Sequence, residues 1–153
     1  MRARLALGLS LIPCVAGCSF GKEIGRTTFT GEQQTRDVNV TLAAAGPVYF
    51  ETTVDVRCSG NGEGPINEQL QYSVSVVHAG KVTKGTGCDA LETVPFTGWG
   101  STQSNNDVHL SRSRLAGCGA QLEAGASTLR VTLGPMHGTS SVTPTKLDLF
   151  VMR

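Results

Sequence analysis

Apolar side chains recur at every second position through most of the chain. Val38, Val40 and Leu42 alternate with Asp37, Asn39 and Thr41. Val48, Phe50, Val54 and Val56 alternate with Tyr49, Glu51, Thr53, Asp55 and Arg57. Leu70, Tyr72, Val74 and Val76 face away from Gln69, Gln71, Ser73 and Ser75, and Val108 and Leu110 continue the rhythm. Leu129, Val131 and Leu133 then oppose Thr128, Arg130 and Thr132, and Leu147, Leu149 and Val151 oppose Lys146, Asp148 and Met152. This is the period of half-buried strands. A slip of one residue would put every apolar side chain in water, so the registers are well specified. His78-Ala79-Gly80-Lys81 predicts a hairpin turn into Val82 and Thr83. No stretch carries a sustained helical stripe; residues 116–126 are interrupted by Gly117, Gly119 and Gly125.

About seven or eight short strands divided by Gly, Pro and Asn turns predict an all-β fold, an antiparallel β-sandwich, with a small closed barrel as the alternative. Residues 59–65 and 98–107 read as the long loops. Residues 35–153 form the predicted β-sandwich domain. Residues 18–34 are short of apolar side chains and read as a tether, with an edge strand around 27–30.

Residues 1–17 have a different grammar. Arg2 and Arg4 precede an apolar run from Leu5 to Ile12, and small residues follow, which is the layout of a secretory signal. The run is shorter than the roughly 20 residues that span a bilayer. Val15-Ala16-Gly17-Cys18 resembles the lipobox of bacterial lipoproteins, in which an aliphatic and two small residues precede the cysteine that receives diacylglycerol. The rival Cys14 follows Leu11-Ile12-Pro13, which lacks the small pair. The resemblance implies a signal peptide over 1–17, lipidation at Cys18, and a membrane partnership through several palmitate-type acyl chains, each buried CH₂ adding about 0.8 kcal/mol. It also implies a location in the cell envelope. Ser19 in place of the Asp that holds such proteins at the inner membrane points to the outer membrane if the host is Gram-negative.

Composition narrows the function classes. Charged residues are 16%, and the formal charge of +1 becomes −1 once Arg2 and Arg4 leave with the leader. No basic excess is present to recruit a nucleic acid. The high glycine count, 19, is read as marking turns between strands.

Three cysteines remain for the fold: Cys58, Cys88 and Cys118, spaced by 30 and 30. An oxidising compartment predicts one bridge among them. Cys58 and Cys88 reach the same end of the predicted sandwich; Cys118 joins them if residues 91–96 add a strand. Gly87-Cys88 and Gly117-Cys118 share a local context, which favours pairing Cys88 with Cys118.

Catalytic and cofactor signals are sparse. The Gly-rich segment 59–64 is followed by Pro65 rather than by a helix that could cradle phosphate. His78, His109 and His137 lack the short paired spacing of zinc ligands and read as surface histidines. Asp89, Glu92 and Asn105-Asn106-Asp107 offer hard oxygen donors in loops, with solvation the simpler reading. No enzyme, metal or cofactor is predicted. Trp99 stands between Gly98 and Gly100, ahead of Gln103, Asn105 and Asp107. A planar ring among amides and a carboxylate fits a stacking surface for a sugar or an anchor for a protein partner, or a ring folded back over the core. The reading is therefore a membrane-anchored, non-catalytic sandwich with a protein or glycan partner or a structural role in the envelope. The alternative is an immunity or inhibitor lipoprotein that neutralises an envelope-acting toxin or hydrolase.

Overall fold

The structure, a computed structural model, describes residues 21–58, 62–63, 69–91, 98–99, 106–138 and 142–153. Ten strands are present among them: β1 (Glu23–Phe29), β2 (Thr35–Leu42), β3 (Gly46–Cys58), β4 (Gly62–Glu63), β5 (Gln69–His78), β6 (Lys81–Asp89), β7 (Gly98–Trp99), β8 (Asn106–Leu122), β9 (Gly125–His137) and β10 (Val142–Met152). Eight of them build two four-stranded antiparallel sheets, ordered β1-β10-β3-β8 and β2-β9-β5-β6. β4 and β7 form a small separate ribbon. The fold is thus the antiparallel sandwich that the alternation predicts, and the sheets do not join into the alternative barrel.

The alternation appears in the burial. In β2, Val38, Val40 and Leu42 are buried while their neighbours are exposed, and the same holds along β5 and β9. The two inner faces meet over Phe29, Phe50, Val54, Leu70, Tyr72, Leu129, Leu147 and Leu149, all buried. Packing of this apolar surface is the main stabilising contribution to the fold. The turn after β5 has the predicted two-residue form. Ala79 and Gly80 have φ of 47° and 78°, the left-handed pair that matches the twist of a hairpin.

Apart from that hairpin, each connection between the eight long strands crosses from one sheet to the other. Three connections, at 43–45, 79–80 and 123–124, lie at one end of the sandwich. The C-terminal ends of β1, β3, β6 and β9 lie at the other. We call these the turn end and the loop end.

The two sides of the sandwich are closed differently. On one, β1 runs beside β2, and Gly25 permits the approach: a Cβ there would lie 2.7 Å from Val38 Cγ1 and 3.0 Å from Val40 Cγ1. On the other, the Cys88–Cys118 disulfide ties β6 to β8, the edge strands of opposite sheets. The pairing of β8 with β3 explains how Cys118 gets there. Tyr49 pairs with Gly119 but Glu51 pairs with Arg114, so residues 115–118 stand opposite Phe50 alone, as an extended bulge. A bulge thus brings Cys118 to β6, without need of a strand over 91–96, a segment that lies outside the described residues beyond Leu91. Cys58 is buried at the end of β3 and takes no part in the bridge.

Three placements differ from the sequence reading. The edge strand in the tether covers Glu23–Phe29 and pairs with β10, so the sandwich starts within the segment read as tether. Its inward Phe29 is fully buried, one apolar contact too few to register as alternation. Met152 and Phe150 are buried although they share the face assigned to Lys146 and Asp148. β10 is a central strand, and the Arg26 guanidinium lies over the Phe150 ring at 4.6 Å, so its outer face is covered near its end. His78 belongs to β5 and is half-buried, not a surface turn residue.

Candidate functional site

Of the residues that the sequence singles out for binding, Trp99 and Asp107 lie in described strands. β7 holds Trp99 and β4 comes from the Gly-rich segment, and the two pair through Gly62 with Trp99 and Glu63 with Gly98. The described parts of the two long segments are thereby joined in one ribbon. Asp107 lies in β8 with its backbone opposite Arg57 of β3. Gln103 and Asn105 lie outside the described residues. The structure therefore unites the Trp99 segment with the 59–64 segment, a relation between stretches more than thirty residues apart that no local signal announces.

At the base of the loop end, Asp89 acts as a brace. Its Oδ1 accepts the amide hydrogens of Leu70 and Leu91, each at 3.0 Å, and Ala90 donates its amide to the Leu70 carbonyl at 2.9 Å. Asp89 Oδ1 is committed to the chain's exit from β6. The reason is local: a short acidic side chain at a strand end satisfies amides that no ladder reaches. Glu32 does the same on the opposite side, accepting the Met136 amide at 2.8 Å.

The histidines separate into distinct settings. His78 Nδ1 and Ser127 Oγ share a 2.8 Å hydrogen bond at the turn end, where register pairs the two residues on the inner face. Ser127 is buried, so the imidazole serves to satisfy a hydroxyl at the rim of the core. His109 Nδ1 donates to the Asp55 carboxylate across β8 and β3 on the outer face. His137 is exposed at the end of β9. Among the described residues, no three His, Cys, Asp or Glu side chains converge as metal ligands.

The outer faces carry polar ladders that sequence reading did not assemble. On one sheet, Lys146 Nζ contacts Asp148 at 2.7 Å and Thr28 also donates to Asp148. The nearby guanidinium of Arg26 bonds Glu23 through two nitrogens at 3.1 Å. On the other sheet, Arg130 grips Asp37 through two bonds of 2.9 and 3.0 Å, which holds the Asp37 carboxyl below its ordinary range. The pairs that cross strands, Thr28 with Asp148 and Arg130 with Asp37, favour one register, and exposed ion pairs add little stability. The signal for them was the outward polar positions, but which position faces which depends on strand order.

A cleft of about 280 Å³ lies at the turn end, between β2, β9 and the β5–β6 turn, lined by Asn39, Thr41, Val77, Gly80, Ser127 and Thr128 among others. Three of its polar side chains are engaged: Thr128 donates to Asn39 at 2.8 Å, and Ser127 is held by His78. Its lining includes no acid or base.

No family model matches the chain, and no curated protein matches it. Among solved structures it is similar to dimeric latent PorU from Porphyromonas gingivalis, with a TM-score of 0.29 and 12% sequence identity. That likeness covers 90% of this chain and 14% of the other, so the chain spans about a seventh of the protein it resembles.

Proposed function

We propose that this protein is an exported lipoprotein, held in the cell envelope by acyl chains on Cys18, whose sandwich binds a protein or glycan partner or serves the envelope structurally without catalysing a reaction. The observation that carries this reading is the Cys88–Cys118 disulfide downstream of a lipoprotein-like leader. Disulfides persist outside the reducing cytosol, and a leader of this layout directs a chain there. A structural bridge in the folded domain and an export signal thus agree on the compartment. The loop end, with Trp99 at its ribbon, is the binding surface on this reading, because aromatic anchors concentrate contact area and rigidity.

Two measurements test the proposal. The wild-type chain sediments with membranes and a Cys18→Ala variant leaves them; a variant that stays overturns the anchor. Immunoprecipitation of the detergent-solubilised full chain retains an envelope component that the Trp99→Ala variant loses. Equal retention by both chains overturns the placement of the binding surface. A retained toxin or hydrolase whose activity the chain suppresses would replace the general binding role with that of an immunity lipoprotein.

A further inference from the structure

We infer that the turn end of the sandwich rests against the headgroup layer of the membrane, with the loop end directed away from it. This rests on the lipoprotein reading proposed above. The sandwich is engaged close to Cys18 in the chain: the Lys22 amide donates to the Arg153 carbonyl at 2.7 Å, and the Arg153 amide donates to the Lys22 carbonyl at 2.9 Å. These two bonds clamp the chain where β1 begins, beside the end of β10. Only Ser19, Phe20 and Gly21 separate the clamp from the lipidated cysteine. Fully extended, the four steps from Cys18 to Lys22 reach about 14 Å. The long axis of the sandwich is far greater, since the 13 residues of β3 extend roughly 40 Å at about 3.3 Å each. A tether this short keeps the end it leaves from near the bilayer.

That end has the surface chemistry of a membrane contact. The turn at 43–45 is three exposed alanines, Ala79 and Ala124 are exposed in the neighbouring turns, and Val82, 64% exposed, stands beside them. Small apolar turns enter a headgroup layer without stripping water from polar groups. Lys22, Lys81 and Arg153 are exposed around them, and Arg153 Nη2 donates to the Ala44 carbonyl at 3.2 Å. Of the two acids nearby, Glu23 is engaged by Arg26, leaving Glu123 against three cations. Such a balance suits lipid phosphates. The described turn at the loop end is different in kind, reading Thr30-Gly31-Glu32-Gln33-Gln34. The consequence is that Trp99 is presented tens of ångströms from the bilayer, where an envelope partner meets it.

The test uses the full lipidated chain in vesicles of phosphatidylethanolamine and phosphatidylglycerol, with a bulky, membrane-impermeant maleimide as probe. Ala44→Cys and Ala124→Cys report the turn end and Thr30→Cys the loop end; the unmodified chain sets the baseline, because Cys58 is buried. In vesicles the two turn-end cysteines react several-fold more slowly than Thr30→Cys, and detergent release makes the three rates alike. If the chain floats with vesicles but all three react equally, the orientation is overturned and the anchor stands. If the chain does not float with vesicles, both are overturned.

Discussion

Tyr72 meets Phe50 edge to face across the core, with ring centroids 6.4 Å apart and planes at 77°, and the Tyr72 hydroxyl buried there meets no hydrogen-bond partner among the described residues. The ring packing is favourable, whereas the hydroxyl has lost its water and gained nothing in return. Tyr72→Phe keeps the ring and deletes the orphaned group. It is expected to raise stability by about 1–2 kcal/mol, read as a higher urea midpoint at an unchanged slope. A variant less stable than wild type would show that the hydroxyl is partnered in solution.

The same residue imposes an alkaline limit. Burial pushes the Tyr72 phenol up from its ordinary 10.0, so it ionises later in the folded chain than in the unfolded one. The stability associated with the neutral, buried phenol is complete below pH 10 and is lost as pH rises from there toward the raised value. Between those limits the wild type loses up to about 1.4 kcal/mol per pH unit through this group. Lysines and arginines titrate nearby, so the quantity to measure is the difference between wild type and Tyr72→Phe. That difference widens above pH 10; parallel curves would contradict the burial.

Breaking the bridge between β6 and β8 releases a cross-link with a sequence separation of 30. Chain entropy puts the loss at roughly 3–4 kcal/mol for a loop of this size, and Cys88→Ala or Cys118→Ala should lower the thermal midpoint accordingly. Peptide mapping without reductant is expected to recover residues 88 and 118 in one linked species. A linked species containing Cys58 would refute the pairing.

Asp89→Ala removes the acceptor of two amides at the base of the loop end. Two unsatisfied donors make a cost of about 2–3 kcal/mol reasonable, and hydrogen exchange should accelerate at the Leu70 and Leu91 amides before other sites. Asp89→Asn keeps the accepting oxygen and should retain much of the stability. Equal losses from both substitutions would point to charge rather than to the bonds.

Asp148 supplies the acid-side dependence. Partial burial pushes its carboxyl up, but the bonds from Lys146 and Thr28, together with the charges of Lys146 and Arg26, outweigh that and hold it below the ordinary 3.8. A depressed carboxyl contributes stability above its unfolded value and loses that contribution as pH falls through the folded one. Asp148→Asn is therefore expected to be less stable than wild type at pH 7, by about 1 kcal/mol for charge-assisted bonds of this kind. The gap should close below pH 3.8; a gap independent of pH would remove the carboxylate from the explanation.

Strand positions were legible because alternation is local: each of β2, β3, β5, β9 and β10 reports its buried face through its own residues. The hairpin at Ala79-Gly80 was legible for the same reason, since Gly80 readily supplies the left-handed φ that the turn requires. β1 was only partly legible, because Gly25 sits where β1 crowds Val38 and Val40, and a glycine contributes nothing to an apolar pattern. The commitment of His78 to Ser127 and of Asp89 to two amides was hidden, since each partner lies on another strand or beyond a turn.

Alternation and turn chemistry along the chain are sufficient to specify an antiparallel sandwich and most of its inward and outward residues. Strand order is another matter, because nearly every connection crosses between sheets and a crossover leaves no periodic mark. The fold places β6 beside β8, so that a bulge opposite Phe50 delivers Cys118 to Cys88. It also pairs the Trp99 segment with the Gly-rich one and clamps Lys22 to Arg153. These contacts join residues far apart in the chain, and their free energy depends on the shared core that holds the strands in place.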